Sequence, residues 1–161
     1  MNRKKYEHHF TEFAEKYWPN ETADDPQFYT WFIAQAIAES ALKPSAVSLV
    51  GACGIMQIMP ATWRDIRMYL PHLPKDIFDV RANIEAGIWY DRYCWDRFPQ
   101  IENPLERLLF ALAGYNCGPS RVRKLITASG AKTYAEIEPR LPRETQTYIK
   151  RILKFRDSLL T

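Results

Sequence analysis

The stretch Phe28-Tyr29-Thr30-Trp31-Phe32-Ile33-Ala34-Gln35-Ala36-Ile37-Ala38-Glu39-Ser40 decides the fold class. Between Trp31 and Ala38 only Gln35 is polar, and a helix that is apolar on every side is a buried one. Helical signals continue outward in both directions. The pattern predicts helices over 3–17, 26–41, 60–70, 80–97, 104–115, 119–129, 133–138 and 142–159. Prolines mark many of their starts. Asp25-Pro26 reads as a cap followed by the first helical residue, and Asn103-Pro104-Leu105-Glu106 adds a glutamate three residues after its cap. Thr133-Tyr134-Ala135-Glu136 has the capping-box pattern, and Gly130 is a stop for the helix before it. The only strand candidate is 46–59, interrupted by Gly51 and Gly54. The expectation is a mainly α fold with room for one short hairpin.

The whole chain, 161 residues, reads as a single domain with a real core: 1–25 as a helical extension and 26–161 as the functional core. A hydrophobic share of 47% excludes a disordered chain, and no apolar run approaches the ~20 residues of a membrane span. Cys53, Cys94 and Cys117 are odd in number and lack C-x-x-C spacing, which argues against a zinc site or a disulfide framework. They read as three free thiols, with one disulfide plus a free thiol as the alternative. His8-His9 reads as a solvated helix face and His72 as an ordinary loop residue. The net charge of +3 is uneven: residues 119–161 hold 10 basic and 4 acidic side chains, against 12 and 15 in residues 1–118. A basic C-terminal third suits an anionic polymer or is simply a solvated helix surface.

Glu39 closes the apolar helix and shares a face with Phe28, Phe32 and Gln35. Apolar surroundings disfavour its carboxylate, and so does the negative end of a helix dipole that stops near Leu42-Lys43-Pro44. A glutamate held protonated near neutral pH is what a general acid requires. The alternatives are a surface glutamate at a frayed end, or one neutralised by Lys43. Most glycosidases pair such an acid with a second carboxylate, yet Ser40 to Arg64 contains no Asp or Glu. The partner is then a distant acid such as Glu85 or Glu144, or the nucleophile comes from the substrate, as a 2-acetamido oxygen can. Gln57, alone within Gly54-Ile55-Met56-Gln57-Ile58-Met59, and Tyr115-Asn116, at a helix end before Cys117-Gly118-Pro119, suit sugar hydroxyls and acetamido groups. Gln57 as a turn cap, Met56 and Met59 as core, and Tyr115-Asn116 as a helix end remain open.

Taken together, these segments resemble the soluble lytic transglycosylase family of the lysozyme superfamily. Glu39-Ser40 is similar to its catalytic Glu-Ser motif. Gly54-Ile55-Met56-Gln57-Ile58-Met59-Pro60-Ala61-Thr62 is similar to its Gly-Leu-Met-Gln-Leu-Met-Pro-Ala-Thr motif. Ala113 to Val122 resembles the Ala-Tyr-Asn-Ala-Gly motif, and Glu144-Thr145-Gln146-Thr147-Tyr148 the closing Glu-Thr-x-x-Tyr motif. Asn83-Ile84 and Gly87 match a helix between them, and the match covers roughly residues 28–155. Ile55, Ile58, Gly114, Cys117 and Ser120 depart from the pattern. Cys117, beside Asn116, is the departure best placed to alter the pocket, and it does not by itself imply thiol catalysis.

The resemblance implies a lysozyme-like transglycosylase domain that cleaves the β-1,4 bond between N-acetylmuramic acid and N-acetylglucosamine of peptidoglycan. Glu39 would act as acid and then base, with acetamido assistance, and leave a 1,6-anhydro end. Ser40, Met56, Gln57, Ala113, Tyr115, Asn116 and Tyr148 would line the site. It implies no cofactor and no metal. The partner is the glycan strand at the bacterial cell wall, in the periplasm. Residues 1–15 show no export signal, so the expectation is delivery by a phage, in the virion or for lysis, or by a secretion machinery. The rivals are a goose-type muramidase using water, a non-catalytic wall-binding module, and a nucleic-acid-binding helical domain. The last is suggested by Arg121, Arg123, Lys124, Arg140, Arg143, Lys150, Arg151, Lys154 and Arg156, but no nucleic-acid-binding motif accompanies them.

Overall fold

The computed structural model describes residues 2–161, and nearly all of their regular structure is helical. The helices are α1 (Arg3–Tyr17), α2 (Pro19–Asp24), α3 (Thr30–Ser40), α4 (Pro60–Tyr69), α5 (Val80–Trp95), α6 (Pro104–Cys117), α7 (Pro119–Ser129), α8 (Tyr134–Ile137) and α9 (Arg143–Leu160), with a 3-10 turn over Glu138–Arg140. Prolines open α4, α6 and α7 where the sequence placed them. Asn103 caps α6 by accepting from the Glu106 amide at 3.1 Å, and Gly130 ends α7 with φ 67°. The α8 capping box does not close: Thr133 makes no side-chain cap, and Glu136 accepts from the Lys132 amide instead.

Two expectations change. The helix expected over 26–41 begins only at Thr30, with Tyr29 at its N-cap, and Asp25 serves the turn before it. The Asp25 carboxylate accepts from the Gln27 amide at 2.9 Å and from Arg156 at 3.0 Å, so 26–29 form a turn. The hairpin at 46–59 is reduced to two isolated bridges, Val47 with Cys53 and Cys53 with Ile58.

The chain divides into two compact units. One runs to Trp89 and includes Lys154–Thr161; the other is Tyr90–Leu153. In the first, Trp18 lies 5.4 Å from Phe28 and 5.5 Å from Phe32, and its indole donates to the Ile88 carbonyl. Phe10, Phe13 and Ala14 of α1 are buried in this unit, so the residues set apart as an extension contribute to the core. Every residue of α3 from Thr30 to Ala38 is buried. The second unit is built around α6, where Leu108 to Gly114 are all buried and Phe98 lies 6.0 Å from Phe110. Among the described residues, no helix is long and apolar enough to cross a membrane.

Candidate active site

Glu39 sits where α3 stops. Ala38 and Ser40 on either side are buried, whereas Glu39 keeps part of its surface exposed. The helix ends abruptly, with Ala41 at φ 54° and Leu42 at φ 59°. Neither residue is glycine, and the left-handed region costs such residues on the order of 1 kcal/mol each. The Ser40 hydroxyl lies 2.7 Å from the Ile55 carbonyl and 3.2 Å from that of Ala36, and it accepts from the Lys43 amide. Ser40 therefore ties the end of α3 to the 53–58 segment.

That segment is held almost entirely through its backbone. Cys53 and Ile58 exchange two amide-to-carbonyl bonds of 2.9 Å, and the Gly54 amide donates to Ala46. The fully buried Asn83 of α5 serves three backbone groups: its oxygen accepts from the Met56 amide, and its Nδ2 donates to the carbonyls of Cys53 and Ile77. Gly54 has φ 83°, and a Cβ there would lie 2.4 Å from Asn83 Nδ2, so only glycine fits. At Gly87 a Cβ would lie 2.8 Å from the Met56 side chain. Gln57 has φ 52° and its Nε2 donates to the carbonyls of Ala46 and Gly54. Its side-chain oxygen is left as the acceptor. Among the described residues, Ala41, Leu42 and Gln57 are the non-glycine positions with positive φ. Their clustering marks the segments around Glu39 as the strained part of the chain, the pattern of a functional site.

The other group of site residues belongs to the second unit. Tyr115 and Asn116 lie in the last turn of α6, with Tyr115 edge-on to Tyr90 at 5.4 Å. Asn116 Oδ1 accepts from the Thr145 hydroxyl at 2.8 Å. Tyr148, one turn further along α9, is buried. The Cys117 thiol is pushed above its ordinary value, because burial outweighs the Thr145 hydroxyl and the Arg121 charge that act the other way. It stays protonated near neutral pH and is a poor nucleophile.

Some assignments made from the sequence alone shift. Met56 and Ala113 have no exposed surface. Each is enclosed within its own unit, Met56 packed against Gly87 and Ala113 within the buried stretch of α6. Ser40 is also buried, with its hydroxyl given to backbone groups. His72 is not an ordinary loop residue, since its Nε2 donates to Glu85 at 2.9 Å. Glu85, nearly fully buried, also accepts from Tyr17 and from Lys16 at 3.2 Å. Burial raises the Glu85 carboxyl, but the bonds from Tyr17, His72 and Lys16 outweigh it and leave its pKa below the ordinary range. Glu85 is a structural anion in this unit. Glu144 is exposed on the first turn of α9.

Asn83 and Thr145 stood in the matched segments without an assigned role. Their partners lie 27 and 29 residues away, beyond any local signal. Among the described residues, no group of three His, Cys, Asp or Glu is placed to hold a metal ion.

The family model for the transglycosylase SLT domain matches residues 18–138. The soluble lytic murein transglycosylase of Escherichia coli K12 is 35% identical over 136 residues, covering 81% of this chain and 20% of its own length. The membrane-bound lytic murein transglycosylase F of Desulfosudis oleivorans is 38% identical over 105 residues, covering 64% of this chain and 22% of its own. The crystal structure of the 70-kDa soluble lytic transglycosylase of Escherichia coli matches with a TM-score of 0.69 and 28% identity, covering 90% of this chain and 23% of that one. The chain thus spans about a fifth of the length of these curated relatives. It belongs to the transglycosylase SLT domain family.

Proposed function

We propose that the chain is a peptidoglycan lytic transglycosylase acting at the bacterial cell wall. Glu39 donates a proton to the oxygen of the β-1,4 bond between N-acetylmuramic acid and N-acetylglucosamine, and the bond breaks. The muramic acetamido oxygen stabilises C1 as an oxazolinium-like species. Glu39, now a carboxylate, takes the proton of the muramic C6 hydroxyl, and that oxygen closes onto C1 as the 1,6-anhydro end. Protons and electrons balance without water or a cofactor. Gln57, with its side-chain oxygen as acceptor, and Tyr115, Asn116 and Tyr148 bind and orient the sugars. Ser40, Met56 and Ala113 are buried and act as packing within their own units.

The observation that carries this reading is Glu39 itself. It is partly exposed near the end of a helix whose other residues are buried, and the helix is followed at once by two left-handed residues. Two further points support it. No acid occurs between Ser40 and Arg64, and Glu85 is already occupied by three donors, which favours a nucleophile supplied by the substrate. The names of the relatives agree. Mass spectrometry of fragments released from purified sacculi tests it: 1,6-anhydromuramic ends are expected. Reducing muramic ends without anhydro product would make water the acceptor and the chain a goose-type muramidase. Binding to the wall without cleavage would make it a binding module.

A further inference from the structure

Thr145 is fully buried and is the third residue of α9. Threonine hydroxyls in helices commonly bond back to a carbonyl of the preceding turn. This one instead donates to Asn116 Oδ1 at 2.8 Å. A hydroxyl has one proton, so that donation commits it, while its oxygen can still accept. The terminal torsion of an asparagine has two broad wells that exchange its oxygen and nitrogen. Engaging the oxygen selects one of them. Asn116 Nδ2 makes no hydrogen bond among the described residues, and Asn116 keeps exposed surface.

We propose that Thr145 is a positioning residue: its hydroxyl fixes the flip state of Asn116, so that the amide offers N–H donors to the acetamido carbonyl of a bound N-acetyl sugar. This rests on the glycan-cleaving reading above. An unheld amide would present its own carbonyl to the acetamido oxygen for part of the time, and two acceptors repel. The effect falls on catalysis and sugar binding more than on folding, because a valine fills the same space as the threonine.

The test compares Thr145→Val, which removes the hydroxyl at constant shape, with Thr145→Ser, which keeps it, on soluble uncrosslinked glycan strands. Expected are a loss in kcat/KM of roughly tenfold for Thr145→Val, the worth of about one hydrogen bond, and activity within about twofold for Thr145→Ser. In an Asn116→Ala background, Thr145→Val should cause no further loss. Equal activity of Thr145→Val and the unaltered chain, equal damage by both substitutions, or losses that multiply in the double variant would each overturn the proposal. Should Thr145→Val not fold, Asn116→Asp replaces it, since it keeps the oxygen Thr145 donates to and removes the N–H donor. Loss of activity at an unchanged melting temperature supports the proposal, and full activity overturns it. The side-chain 15N signals of Asn116 need no substrate. They should move in Thr145→Val and stay in place in Thr145→Ser; unmoved signals in Thr145→Val overturn the positioning role. An unaltered chain that releases no glycan fragment would instead overturn the glycan reading, and the 15N experiment still decides the role of Thr145.

Discussion

The two units hold their candidate site residues by different means. Around Glu39 and Gln57, side chains grip backbone: Ser40 holds Ile55, Gln57 holds Ala46 and Gly54, and Asn83 holds Cys53, Met56 and Ile77. Around Asn116, one side chain holds another, Thr145 to Asn116, on helices already formed. A polar substitution in the first region therefore changes the course of the chain as well as the chemistry. In the second it changes which atoms face the substrate while the fold stays in place.

The comparison meets its sharpest exception at Glu39. Glu39→Gln should lower glycan release by roughly a thousandfold, as loss of a general acid does. It should leave the melting temperature nearly unchanged, measured by paired sacculus digestion and thermal denaturation. A variant with more than a tenth of normal activity would move the acid elsewhere. Gly54→Ala should behave in the opposite way. A Cβ there collides with Asn83 and forces a left-handed alanine, so the loss should be about 3 kcal/mol in denaturant unfolding.

Glu85→Gln should cost about 2 kcal/mol at neutral pH, because it replaces a charged acceptor of three bonds. Its pH dependence has a definite sign. The folded pKa of Glu85 lies below its ordinary 4.5, so the charged form adds stability above that value and loses it as the pH falls through the folded pKa. Urea unfolding from pH 7 down to 3 should show the gap between the two proteins narrowing only below about 4.5. A gap that widens on acidification would contradict the assignment. The smallest effect on folding is expected at Asn116→Ala, with less than about 1 kcal/mol of stability lost but roughly a tenfold drop in glycan release. A loss of stability as large as that of Gly54→Ala would erase the difference between the two regions.

Most helices were legible because their signals are local. Pro60, Pro104 and Pro119 open helices, and Gly130 closes one. The buried run of α3 was plain from eight residues with a single polar member. Elsewhere the sequence misled. Asp25 looked like the cap of α3, but its carboxylate accepts from the Gln27 amide at the head of a turn, and its other oxygen pairs with Arg156, 131 residues away. The short helix α2 escaped notice because none of its six residues is buried, so it has no apolar face to reveal it. The polar candidates Glu39, Gln57, Tyr115 and Asn116 are proposed from their types and order, and the substitutions above test Glu39 and Asn116. The roles of Thr145, Asn83 and His72 could not be read in this way, because each depends on a partner that only the folded chain supplies. Met56 and Ala113 were named with them, although whether an apolar residue faces a ligand or lies under it depends on packing.

The Cys53 carbonyl accepts from both the Ile58 amide and Asn83 Nδ2, while the Cys53 amide donates back to Ile58. Nothing in 53–58 belongs to a regular helix or strand, yet its amides at Cys53, Met56 and Ile58 are bonded to groups that are themselves fixed. On the timescale of hydrogen exchange this segment should therefore behave as core, releasing deuterium only when its whole unit opens. A loop that exchanges like a helix interior would also be a poor place for proteolytic nicking or inserted residues, however irregular its backbone.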